Sequence, residues 1–92
     1  MVLSANIAEA KAMRFTPAGL PAIEVLLEHS SQQQEAGQQR EVKAALKALA
    51  FGAMAERLAK QPIGSPWRFT GFLATPRNGK HAVLHVQDIQ PI

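Results

Sequence analysis

The stretch QQREVKAALKALAFGAMAERLAKQ, residues 38–61, decides the fold. Two readings compete for it. As a helix, it is rich in alanine and leucine, and Val42, Leu46, Leu49 and Ala53 fall at helical spacing. As a strand, Val42, Ala44, Leu46, Ala48 and Ala50 share one face and alternate with Lys43, Ala45, Lys47 and Leu49. Alanine is a poor strand former, so propensity alone puts helix first. Gly52 offers a joint between a strand ending at Phe51 and a short helix over Ala53 to Lys60. Periodicity leaves both readings open.

The flanks read as strands. Thr16-Pro17-Ala18-Gly19 is a turn, because proline presets one backbone angle and glycine accepts positive φ. Glu35-Ala36-Gly37 and Pro62-Ile63-Gly64-Ser65-Pro66 are further breaks, and Asn78-Gly79 is a two-residue hairpin signal. Between the breaks, Ile23, Val25 and Leu27 alternate with Glu24 and Glu28. Trp67, Phe69, Gly71 and Leu73 alternate with Arg68 and Thr70, and Ala82, Leu84 and Val86 with His81, Val83 and His85. Val2 to Met13 alternates more weakly. Four strands joined by short turns predict a small barrel or sandwich.

Composition narrows the function. Ninety-two residues make one domain, 1–92, with a small core. The absence of cysteine excludes a disulfide scaffold, a thiolate metal site and a cysteine nucleophile. A net charge of +3 favours an anionic partner. The longest mainly apolar run, Ala44 to Ala55, contains Lys47 and is too short to span a bilayer, and no targeting signal is legible. The expectation is a soluble cytoplasmic protein without membrane contact.

Catalytic and metal constellations fail on inspection. On a strand His81 and His85 share a face but stand about 13 Å apart, too far for one ion. His29 has no partner. Ser30 and Ser31 lack a nucleophile elbow, and the glycines are too isolated to cradle a phosphate. Glu24 and Glu28 read as solvated neighbours. The sequence therefore predicts no enzyme, no metal and no cofactor.

The order and spacing of four pieces carry a family resemblance: VLSANI at 2–7, TPAGLPAIEVLLEHSSQQQEAGQQR at 16–40, GSPWRFTGFLA at 64–74 and NGKHAVLHVQDI at 78–89. Together they resemble the primosomal replication protein N (primosomal protein B) family, in the single-stranded-DNA-binding-protein branch of the OB-fold. Ala5 departs from the usual glycine. The resemblance implies an all-β fold, a five-stranded antiparallel OB barrel with one short helix between strands three and four. It puts strand three at about 40–51 and the helix at about 53–60, against propensity. It also implies a non-catalytic homodimer that binds single-stranded DNA during replication restart. In that role it stabilises the primosomal helicase, protein A, and hands the complex to the helicase-loading protein where one exists. Such a protein works at the bacterial nucleoid.

A single strand needs cations for its phosphates and flat surfaces for its bases. The resemblance assigns the cations to Arg14 in the first loop, Arg40 at the start of strand three, and Arg77, Lys80 and His81 around the last hairpin. Lys43 and Lys47 join them if 42–51 is a strand. Phe15, beside Arg14, is the candidate stacking ring. The family's aromatics on and before strand three are replaced here by Gln38 and Lys43, so binding is expected to be weak and dominated by phosphates. Trp67, Phe69 and Phe51 are expected in the core. Strand one is expected to form the dimer contact through Leu3, Ile7 and Met13. Two alternatives remain open: an adaptor of the helicase with negligible DNA affinity, and an α+β domain with one long central helix.

Overall fold

The computed structural model describes residues 1–35, 38–77 and 79–92; the side chains of 30–43 also lie outside the described set. The central stretch is extended. Strand β3 (Pro21–Glu35) and strand β4 (Gln38–Phe51) run antiparallel over fourteen paired positions, from Ala22↔Phe51 to Glu35↔Gln38. This long ladder overrides the helical preference of alanine, because the chain is held extended by pairing along its whole length with β3. Only the end of the stretch coils, as helix α1 (Ala53–Ala59). Gly52 is the joint: its φ of 66° suits a residue without Cβ, and its N–H donates to the Pro21 carbonyl at 2.8 Å.

Strand β1 (Val2–Ala10) pairs with strand β5 (Pro66–Ala74) over residues 2–6 and with β3 over residues 6–10. Strand β6 (Val83–Pro91) pairs antiparallel with β5 and parallel with β4. The ring β1–β5–β6–β4–β3–β1 is thereby closed, and a two-residue strand, β2 (Arg14–Phe15), is appended to β3. This is the expected OB barrel, with one correction: it is mixed, not purely antiparallel. The reason is parity. Strand direction cannot alternate all the way round a ring of five, so one neighbouring pair must run parallel, and here it is β4 with β6.

Alternation fills the barrel. Ile7 from β1, Val25 and Leu27 from β3, Ala48 and Ala50 from β4, Phe69 from β5, and Leu84 and Ile89 from β6 form one buried cluster. Helix α1 adds Ala55 and Leu58 to it. Arg57 ties that helix to β6, donating to the Ile89 carbonyl at 2.8 Å and to Asp88 at 3.2 Å. Gly71 is required by close approach: a Cβ there would lie 2.0 Å from the His85 carbonyl oxygen, at the bulge where β5 shifts register against β6.

One local expectation changes. The last hairpin is present, but its connection spans residues 75–82 instead of two residues. The turn seen there closes with the Gly79 N–H donating to the Pro76 carbonyl at 2.9 Å; Asn78 lies outside the described residues. The Thr16–Gly19 turn forms as read, with the Gly19 N–H donating to the Thr16 carbonyl at 2.8 Å. Among the described residues, no helix is long and apolar enough to cross a membrane.

Candidate nucleic-acid interface

The outward residues of β3 and β4 build one face. Inward positions 23, 25 and 27 of β3 leave Glu24, Leu26 and Glu28 outward; inward 48 and 50 of β4 leave Lys47, Leu49 and Phe51 outward. The loop 75–82 arches over one end of this face. Together they enclose an open groove of about 830 Å³, lined by Leu26, Leu46, Lys47, Lys80, His81 and Val83 among others. Three side chains read from the sequence thus line one groove: Lys47 from the strand, and Lys80 and His81 from the loop. Arg77 is exposed in the same loop but does not line the groove.

At the other end of the face a second depression, of about 330 Å³, is lined by Arg14, Phe15, Thr16, Pro17, Ala22, Leu49 and Phe51. Phe15 stands 69% exposed there. Arg40 and Lys43 lie on the arm of β4 that reaches beyond the barrel, paired with Gln33 and Ser30. Their side chains, like that of Gln38, lie outside the described residues.

Acidic groups temper the field. Lys11 forms an ion pair with Glu24. The Glu24 carboxyl is held below its ordinary value, chiefly by the hydrogen bond from Lys11, against a smaller opposing effect of burial, and with help from the charges of Lys11, Lys47 and Arg14. Lys47 and Arg14 therefore share their charge with an anion on the same face, which lowers the attraction each offers a phosphate.

The aromatics give the largest departure from the sequence reading. Phe69 is buried as expected, and Trp67 packs partly against the core with its Nε1–H donating to Ser65 Oγ at 2.9 Å. Phe51, expected in the core, is 45% exposed, because it sits on the outward parity of β4 beside Lys47 and Leu49. Phe72 is 49% exposed. The His85 ring lies between the two, 4.9 Å from Phe72 at an interplanar angle of 2° and 6.4 Å from Phe51 at 25°. The missed signal was parity: once 48 and 50 face inward, 51 cannot.

The residues named for a dimer contact differ in exposure. Ile7 is 1% exposed in this chain's own core, so its side chain is not free for a second copy. Leu3 and Met13 are half-buried against the same core. Residues 2–5 of β1 have a ladder partner on the β5 side only, among the described residues. On the other side, His29 Nδ1–H donates to the Ser4 carbonyl at 2.7 Å. The described residues hold no cluster of three or more potential metal ligands, and His81 lies in the loop, not on the strand with His85.

A groove of cations over the outer face of two long strands of a small closed barrel is an arrangement used to hold oligonucleotides. The chain matches, over residues 1–88, a family model described as another single-strand binding protein family. It is 46% identical over 91 residues to replication restart protein PriB of Bordetella pertussis, covering 98% of this chain and 85% of that one. The chain belongs to the replication restart protein PriB family. A solved PriB from Ralstonia solanacearum superimposes with a TM-score of 0.83 at 36% identity, covering 99% of this chain and 94% of that one. A single-stranded DNA binding protein from Thermus aquaticus matches with a TM-score of 0.81 at 22% identity, over 99% of this chain and 48% of its own, a likeness of fold.

Proposed function

We propose that this chain is a non-catalytic DNA-binding component of the replication restart primosome, acting in the bacterial cytoplasm. It holds single-stranded DNA across the outer face of β3 and β4, weakly and mainly through phosphates. It works as a homodimer, with the one-sided stretch 2–5 of β1 available to a second copy. It stabilises the primosomal helicase, protein A, on DNA and promotes primosome assembly. The observation that carries the DNA reading is the groove in which Lys47 meets Lys80 and His81. Arg14, Phe15 and Arg77 extend the same track, and Arg40 and Lys43 belong to it by their place on β4. What supports the primosomal role is membership of the PriB family.

A salt titration tests this. Anisotropy of a labelled oligo-dT strand should fall steeply in affinity as salt rises, because phosphate contacts release counterions. Lys47→Ala should weaken binding about three- to tenfold at low salt and flatten the log–log slope by about one. Tight binding that barely responds to salt contradicts the phosphate-dominated reading. No binding with or without the helicase, combined with retained helicase contact, favours the adaptor reading, to which the charge-sharing by Glu24 already lends weight.

A further inference from the structure

The groove between β4 and the loop 75–82 touches both faces of one strand. Leu46 packs against the core and Lys47, the next residue, points outward, yet both line the groove. Consecutive residues of a strand face opposite ways, so a depression that reaches both lies along the strand's edge. The ladders agree. On its β3 side β4 is paired throughout, from Gln38 to Phe51. On its β6 side, among the described residues, pairing is confined to Ala48 and Leu49. The backbone of 44–47 therefore turns N–H and C=O groups towards the groove with no ladder partner on that side.

A ligand that completes such an edge must offer donors as well as acceptors. A phosphodiester backbone can use the two lysines of this groove, but it has no N–H for the edge carbonyls. A second polypeptide answers both. The walls select its side chains. Leu26, Leu46, Pro76 and Val83 are aliphatic, and no carboxylate is among the lining residues. Lys47 and Lys80 are exposed there. Apolar walls with two ammonium groups suit an extended segment in which aliphatic and acidic side chains alternate.

We propose that the free edge of β4 at residues 44–47 takes up an extended acidic segment of a partner protein as an added strand, its carboxylates set against Lys47 and Lys80. The paired length is about four residues, roughly 13 Å. Main-chain bonds hold the segment, the aliphatic wall fixes which way its side chains face, and the lysines select its charge. The inference does not rest on the DNA-binding reading, because the edge is defined by the ladders alone.

The test uses a labelled synthetic peptide of four Glu-Val repeats, titrated by anisotropy into the full chain at low salt, with labelled oligo-dT in a parallel titration. A Lys-Val counterpart should bind at least about tenfold more weakly. N-methylation of alternate amides, made in both phases, separates strand addition from side-chain contact. One phase should lose at least about tenfold in affinity and the other should stay within about twofold, because only every second amide of an added strand points at β4. Lys80→Glu, a loop change, should weaken the peptide about three- to tenfold, with thermal melts confirming the fold. The parent peptide should also slow hydrogen exchange of those amides of 44–47 that point away from β3. Equal affinity of both methylated peptides and the parent, equal affinity of the acidic and basic peptides, or no binding of the acidic peptide overturns the added strand. Oligo-dT binding in the parallel titration then leaves the DNA reading standing.

Discussion

Glu24 shows how one side chain serves two ends. Its lowered carboxyl value, set chiefly by the Lys11 hydrogen bond, makes its ionised form a stabilising element. The sign follows from linkage: a carboxyl depressed in the folded state contributes fully above its ordinary value of 4.5 and loses that contribution as pH falls through the lowered value. The urea midpoint should therefore fall below about pH 4.5, and Glu24→Gln should flatten that fall. Lys11 is largely exposed, so the same variant should cost under about 1 kcal/mol at neutral pH. It also removes the anion beside Lys47 and Arg14. Oligo-dT affinity at low salt should then rise about two- to fivefold. An unchanged or weakened affinity in that anisotropy titration would mean that the two cations do not face the strand.

At the scale of elements, β4 explains why the sequence was ambiguous where it mattered most. Its inward positions Ala48 and Ala50 are small because the barrel interior opposite them is already filled, with Ala48 level with Val25 on one side and Leu84 on the other. Packing chose alanine there, and alanine erased the strand signature. The flanking strands kept their β-branched and large apolar residues, so β3, β5 and β6 were legible from alternation. The helix–strand joint was legible from Gly52, and Lys47, Lys80 and His81 of the groove from their types and positions. Phe51 was not legible, because its face depends on the parity of a strand that periodicity left undecided. β2 was not legible either, since two residues carry no period. Ala48→Leu should overpack the barrel and cost about 1–3 kcal/mol, read as a lower melting temperature. Ala45→Val, on the exposed side of the same strand, should be neutral or slightly stabilising, where a helix would be weakened. The reverse ranking would contradict the packing of β4 described above.

For the whole molecule, the five-membered ring has one junction unlike the rest. The parallel pairing of β4 with β6 runs over two positions, Ala48↔Leu84 and Leu49↔His85, against eight for β5 with β6 and fourteen for β3 with β4. Cross-strand bonds there are few, so the barrel should unzip first along that seam. Hydrogen exchange should show those amides of residues 48–49 and 84–85 that point across the β4–β6 seam opening sooner than the amides of residues 23–27 that point towards β4. The rings of Phe51 and His85 straddle the same seam, one from each strand. A strand held on the outer face of β4 beside Phe51 would act as a rivet at the edge of the weakest stitch of the cylinder, and oligo-dT should slow exchange there more than anywhere else in the barrel. Occupancy by DNA and closure of the fold would then be one event, and an empty barrel would be a looser one.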